Sequence, residues 1–129
     1  DATRRSRVAT SLAAYGSLVE DDILIRLAIA EELRLAGFEI VEASNADEAL
    51  EYVRAGLPLD LVFTDVQMPG RIDGVGLARC LLREFAPIKV LMTSAHGQPV
   101  ELRSVVPFIA KPYLEADVIA LIASALAKP

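Results

Sequence analysis

The chain has 129 residues, a formal net charge of −5 and 53% hydrophobic residues, which suits one compact domain with a full core and leaves little room for a second. The acidic balance argues against binding along a nucleic-acid backbone, which runs on neutralising phosphates with Lys and Arg. Mean hydropathy is high at +0.41, but the apolar runs are broken by charges and stay far below the roughly 20 residues of a membrane span, so buried parallel strands account for it.

Residues 1–12 carry Arg4, Arg5 and Arg7 without periodicity and are expected to be a disordered or appended tail, with the fold running over 13–129. Leu12-Ala13-Ala14 is too short an apolar stretch for a signal peptide. Tyr15 to Val19 reads as a short strand that runs into an acidic group, Glu20-Asp21-Asp22. Over Ile23 to Ala36, Ile25, Ile29, Leu33 and Ala36 repeat at helical spacing, and Gly37 stops the helix. Phe38 to Glu42 is a second strand. Asn45 caps a helix over Ala46 to Ala55, where Glu48 completes a capping-box pattern and Gly56 and Pro58 mark the end. Leu59 to Thr64 is near-continuously apolar, hence a strand buried on both faces. Asp65 closes that run ahead of the turn sequence Val66-Gln67-Met68-Pro69-Gly70.

Gly74 to Phe85 is a helix with Leu77, Leu81 and Phe85 on one face. Cys80 beside that face reads as packing; as the single cysteine it excludes an internal disulfide and suits a reducing compartment. Ile88 to Thr93 is the fourth strand, and it delivers the hydroxyl pair Thr93-Ser94. Between Gly97 and Val105 only a short helix fits, because Pro99 suits a first turn and Pro107 forbids helix soon after. Val105 to Ala110 is the fifth strand, followed by Lys111-Pro112. Leu114 to Ala127 is a helix with Leu114, Val118, Leu121 and Ala125 on one face.

Five strands alternating with five helices need crossover connections, so the expected fold is α/β, a parallel sheet covered on both faces. Ligands of such sheets bind outside the carboxyl ends of the strands, where the strand order reverses. The acidic group, Asp65, the hydroxyl pair and Lys111 all fall at that edge. In the order 2-1-3-4-5 the first and third strands are neighbours, and Glu20, Asp21 and Asp65 converge. Carboxylates held together repel one another unless a cation joins them. Oxygen ligands without His or Cys favour a hard ion, Mg2+ in particular. With Lys111 and the Ser94 hydroxyl, such an ion completes a pocket for a tetrahedral anion and spreads the charge of a phosphoryl group in transfer. A carboxylate placed as Asp65 is can be a nucleophile and form an aspartyl phosphate.

Five separated motifs thus occur in order: Glu20-Asp21-Asp22, Thr64-Asp65 with Met68-Pro69, Asp73-Gly74, Thr93-Ser94-Ala95, and Lys111-Pro112. On these motifs the chain resembles a response-regulator receiver domain of two-component signalling, from Ala13 to Lys128. The resemblance implies the flavodoxin-like (βα)5 three-layer sandwich with sheet order 2-1-3-4-5. It implies a bacterial, cytoplasmic phosphoacceptor switch, not a metabolic enzyme, with Mg2+ as cofactor and a histidine kinase or histidine phosphotransfer protein as partner. A homodimer is a further expectation; contact with nucleic acid or membrane is not. By the same resemblance Asp65 is the phosphoacceptor, Asp21 and the Gln67 carbonyl are Mg2+ ligands with it, and Glu20 is their acidic neighbour. Ser94 is the hydroxyl that meets the phosphoryl group, Lys111 the ion-pairing lysine, Phe108 the aromatic switch, and the bond to Pro112 is cis. Gln67 and His96 fall where family members tune loss of the phosphoryl group.

The loop Met68-Pro69-Gly70-Arg71-Ile72-Asp73-Gly74 is one residue longer than the commonest form, and the segment between Ala95 and Phe108 is short, with Pro99 and Pro107, so the fourth helix is expected to be truncated. Single signals have plainer readings: an Asp that caps a helix, which accounts for Asp22, a solvated lysine, a loop histidine at position 96. Placed together at one edge they favour the receiver over two alternatives. A metal-dependent phosphohydrolase wants a second acid two residues after the first, where this chain has Gln67; a phosphorylation-silent receiver-like binding module tends to lack one of the key groups. Ile23, Leu24 and Ile25, near the active edge, form an apolar patch suited to docking a donor's helices.

Overall fold

Buried parallel strands must be covered on both sides, and the computed structural model, which describes residues 14–128, arranges the chain accordingly. In order come β1 (Tyr15–Val19), α1 (Ile23–Leu35), β2 (Glu39–Ala43), α2 (Ala46–Arg54), β3 (Leu61–Asp65), α3 (Gly74–Glu84), β4 (Lys89–Ser94), a 3-10 turn (Val100–Leu102), β5 (Phe108–Ala110) and α4 (Glu115–Ala127). The five strands form one parallel sheet in the order β2-β1-β3-β4-β5. The expected tail, residues 1–12, lies outside the described residues.

Alternation along each strand splits the core into two layers. Val19, Val62, Val90 and Met92 face α2 and α3 and pack with Leu50, Val53, Leu77 and Leu81. Leu18, Leu61, Phe63 and Leu91 face α1 and α4 and pack with Ile29, Leu33, Val118 and Ile122. Cys80 is buried with the first layer, as its place beside the apolar face predicts.

Helix ends follow the local chemistry. The side chain of Asn45 accepts from the Glu48 amide at 2.8 Å, while the Glu48 carboxylate reaches back to the amide of Ser44 at 2.7 Å, one residue earlier than the simple capping box. Gly37, at φ 104°, ends α1: the Phe38 amide donates to the Leu33 carbonyl and the Gly37 amide to that of Arg34, the paired bonds of a Schellman motif.

Several expectations need correction. The fourth helix, expected to be short, is a single 3-10 turn, so four α-helices rather than five stand among the described residues. The fifth strand begins at Phe108, not Val105, because the amides of Val105 and Val106 both bond back to the Leu102 carbonyl, and Pro107 has no amide to give. Leu114 lies outside its helix and is 68% exposed; Ile122 fills the core in its stead. On α1, Ile25 is likewise exposed, and the buried set is Ile29, Ala30 and Leu33. Strand bounds also differ by one or two residues: β2 and β4 start and end one residue later than expected, and β3 starts at Leu61 and includes Asp65.

Gly74 opens α3 against the backbone of β3. A Cβ at this position would overlap the carbonyl oxygen of Asp65, and backbone cannot step aside as a flexible side chain can. Gly74→Ala is therefore expected to cost about 1–3 kcal/mol, the range for forced overpacking, read as a lower urea midpoint with helical circular dichroism retained.

Candidate functional site

Three strand ends meet around one ammonium group. Glu20 follows β1, Asp65 ends β3 and Lys111 follows β5. Along the chain, Asp65 and Glu20 stand 46 and 91 residues before Lys111. The Lys111 Nζ donates to Asp65 Oδ2 at 2.6 Å and to Glu20 Oε1 at 2.8 Å. Glu20 and Asp65 are buried; Asp21 is exposed beside them. One carboxylate oxygen from each of Glu20, Asp21 and Asp65 lies within 4.8 Å of the others.

Local sequence explains how each group is presented. The Asp22 carboxylate accepts from the amides of Leu24 and Ile25 and so caps α1, while the Asp22 amide donates to Glu20 Oε2 at 3.0 Å. Asp21 is left between these two anchored neighbours. Asp65 stays fixed through its backbone: the Thr64 hydroxyl donates to its carbonyl at 2.9 Å, and the next amide, that of Val66, donates to the Thr93 carbonyl on β4. Its Oδ1 faces the amide of Gln67 at a long 3.4 Å. The bond between Lys111 and Pro112 is cis, as is that between Ala86 and Pro87, and the Lys111 amide donates to the Ser94 carbonyl at 3.0 Å.

The hydroxyl and aromatic groups sit less directly. The Ser94 side chain is buried at the end of β4, and its oxygen accepts the His96 amide at 2.9 Å, so its hydroxyl oxygen is engaged by the loop. His96 is exposed on that loop. Phe108 is half-buried and packs against the α2/α3 layer. Thr93, in register with Asp65, is buried with no hydrogen-bond partner for its hydroxyl among the described residues.

Sequence reasoning passes over two features of this edge. Tyr113, next after the prolyl bond, is half-buried, with its ring 6.2 Å from that of Phe63. Arg26 reaches from α1 to the Glu20 carbonyl. Tyr113 adjoins a recognised motif and could have been flagged by it; Arg26 carries no local signal, because its partners lie just after β1 and on β2.

The electrostatics follow from crowding. Burial raises the pKa of the Glu20 carboxyl, outweighing the hydrogen bonds from Lys111 and the Asp22 amide, and the nearness of Asp21 adds to the rise. For Lys111, burial alone would lower the pKa, but the hydrogen bonds to Asp65 and Glu20 and their charges more than reverse it and hold the ammonium well above the ordinary lysine value. Tyr113 is pushed up to about 12, by burial first, with the charges of Glu20 and Asp65 acting against that of Lys111. Three carboxylates against one ammonium leave two negative charges, and every donor is oxygen. That set fits a hard divalent cation bound at the cluster of Glu20, Asp21 and Asp65.

Comparison with known proteins points one way. A family model described as response regulator receiver domain matches residues 17–123. The transcriptional regulatory protein PdtaR of Mycobacterium tuberculosis is 37% identical over 116 residues, which cover 86% of this chain and 56% of that protein. The C4-dicarboxylate transport transcriptional regulatory protein DctD of Rhizobium meliloti is 35% identical over 104 residues, covering 74% of this chain and 22% of the relative. The chain thus spans about half the length of the first and about a fifth of the second. Among solved structures, a response regulator receiver protein from Sinorhizobium medicae superposes with a TM-score of 0.79 at 26% identity, over 89% of this chain and 95% of that one. The receiver domain of the hybrid histidine kinase CckA gives 0.75 at 28% identity, over 87% and 98%.

The raised pKa values set an alkaline limit. Lys111 and Tyr113 keep their protons in the folded chain above the pH, about 10 to 10.4, at which the unfolded chain releases them. Their contribution is therefore complete below about pH 10 and is lost as the pH rises towards the folded values. Urea unfolding followed from about pH 8 to about pH 12 is expected to give a stability that is level up to about pH 10 and falls beyond it. In Lys111→Met combined with Tyr113→Phe that fall should be smaller, with the part due to Tyr52, whose pKa burial also raises, remaining.

Proposed function

The chain belongs to the response regulator receiver domain family, and on that premise we propose that Asp65 accepts a phosphoryl group from a phosphohistidine of a histidine kinase or histidine phosphotransfer protein, with Mg2+ bound. The observation that carries this reading is the single ammonium of Lys111 shared by Asp65 and Glu20 at the carboxyl edge of the sheet, with Asp21 alongside. The family is that of a signalling switch, and its cation sits in an acidic pocket; here Asp21, Asp65 and the Gln67 carbonyl are the proposed ligands, with Glu20 behind them. When bound, Mg2+ offsets charge on the oxygens of the incoming phosphoryl group.

The rest is the work of the chain's own residues. An Asp65 oxygen forms the new P–O bond as the P–N bond to the donor imidazole breaks, its electron pair staying on the ring nitrogen. Lys111 already lies against Asp65 and neutralises charge there without having to be recruited. Water later attacks phosphorus, returning inorganic phosphate and the Asp65 carboxylate. The Ser94 oxygen accepts the His96 amide, which leaves its O–H to donate to the phosphoryl group, and Phe108 on the neighbouring strand then repacks beside it. Gln67 and His96, both exposed at this edge, are the residues proposed to tune the lifetime of the phosphoryl group.

A docking surface for the donor adjoins the site. Ile25, Ala28, Ile29, Lys111, Pro112 and Tyr113 line a groove of about 420 Å3, and Ile23, Leu24 and Leu27 on α1 are exposed next to it. The donor's helices would cover this apolar strip and bring the phosphohistidine over Asp65. No helix among the described residues is long and apolar enough to cross a membrane; the cytoplasmic setting is part of the proposal.

Intact-mass spectrometry after incubation with acetyl phosphate tests the chemistry. The expected result is a gain of one phosphoryl group that requires Mg2+ and is absent in Asp65→Asn; no gain by a folded, Mg2+-binding chain would favour a receiver-like module that acts by binding alone. Millimolar Mg2+ should also raise the melting temperature, by relieving the carboxylate cluster. Lys111→Ala is expected to retain Mg2+ binding yet lose the surface change that follows phosphorylation, read as chemical-shift changes around β4 and β5.

A further inference from the structure

Behind the acidic turn lies a second cation, one that takes no part in the chemistry described above. The Arg26 side chain, on the first turn of α1, is only 15% exposed. Its Nη1 donates to the carbonyl oxygen of Glu20 at 2.9 Å, and its Nε donates to Glu42 Oε1 on β2 at 3.1 Å. Glu42 is itself held: its other oxygen accepts from Arg34 Nη1 at 3.2 Å, and its carbonyl accepts from the Tyr52 hydroxyl at 2.8 Å. Meanwhile the Glu20 amide donates to the Ala43 carbonyl at 3.0 Å. The backbone of Glu20 is thus gripped on both sides, by β2 through its N–H and by Arg26 through its C=O.

That carbonyl belongs to the peptide unit shared with Asp21. The plane of this unit fixes the direction in which the Asp21 side chain leaves the backbone, and Asp21, being exposed, is oriented by its backbone more than by packing. Groups that orient a metal's ligands are commonly worth about 10–100-fold in affinity. A guanidinium is well matched to such a hold, since it stays charged and its planar fork meets two acceptors at fixed angles, which a lysine ammonium does not. Its burial is offset by the carboxylate of Glu42.

Resting on the reading of Glu20, Asp21 and Asp65 as the cation site, we propose that Arg26 is a positioning residue for that site, holding through the Glu20 carbonyl the turn from which Asp21 reaches the cation. Arg26 touches neither the cation nor the phosphoryl group. Its effect is on affinity for the ion and, through it, on the rate of phosphoryl acceptance.

A stability-matched pair of variants separates this role from mere support of the fold. Arg26→Met removes both the bond to the Glu20 carbonyl and the ion pair, whereas Glu42→Gln removes the ion pair but leaves an acceptor for Nε and the bond to Glu20 in place. Mg2+ affinity is measured by calorimetry on wild type, both variants and Arg26→Lys, well below the lowest melting temperature. Expected are a Kd raised about tenfold or more in Arg26→Met, a Kd near that of wild type in Glu42→Gln despite its lower melting temperature, and an intermediate value in Arg26→Lys. Equal Kd in wild type and Arg26→Met, or the same weakening in both Arg26→Met and Glu42→Gln, would overturn the positioning role while leaving the cation site standing. A folded wild-type chain that binds no Mg2+ would remove the site itself, and the inference with it.

Discussion

Like charges brought to one place must be held there against their own repulsion, and at the carboxyl edge of this sheet the holding is done by one ammonium. Lys111 lies between Asp65 and Glu20, with Asp21 beside them. Any two of these carboxylates without a cation would disfavour the folded state or take up a proton. Everything else in the architecture serves to bring residues from three distant strand ends to that point. The parallel order β2-β1-β3-β4-β5 sets β1 and β3 side by side, and the crossovers return every strand in the same direction, so that all strand ends open on one edge.

The balance is only partial, and that is what gives the site its character. An ion pair that cancelled every charge would be inert to a divalent cation and to a phosphoryl group. Here the ammonium fixes geometry while leaving charge to be neutralised, so that a cation would meet a preformed constellation. Phe108 stands one layer away, packed with α2 and α3, while Lys111 lines a groove with Ile25 and Ile29 of α1. In the sheet β4 lies between β3 and β5, and at its end the Ser94 hydroxyl oxygen accepts the His96 amide.

Much of this is legible in the residues because it rests on local chemistry. Alternating apolar strands and amphipathic helices announce the parallel sheet; Gly37 and Asn45 mark helix ends through backbone conformation and capping; Asp65 and Lys111 stand where apolar runs stop. What is not legible depends on partners far away in the chain or on bonds that leave no trace in composition. The start of β5 escapes a reading by propensity because the amides of Val105 and Val106 are claimed by the Leu102 carbonyl. Leu114 fits the helical period of α4 but falls just ahead of its first turn, where the apolar stripe has nothing to cover it. Glu20 reads as an acidic neighbour, yet it is Glu20, not Asp21, that shares the ammonium. Arg26 has no motif at all; only the tertiary meeting of α1, β1 and β2 gives it a role.

The sequence distance between Glu20 and Lys111 also has a meaning in time. They are 91 residues apart, and a contact of such separation raises the contact order of the fold, which goes with slower folding because the loop entropy must be met before the contact can add anything. Any state in which β1 and β3 were paired and β5 was not would leave Glu20 and Asp65 without the ammonium of Lys111. Docking of β5 removes that penalty at the moment it completes the site. Undocking of β5 would uncover the carboxylates of Glu20 and Asp65 together, so the last strand of the sheet and the charge balance of its edge are kept or lost as one.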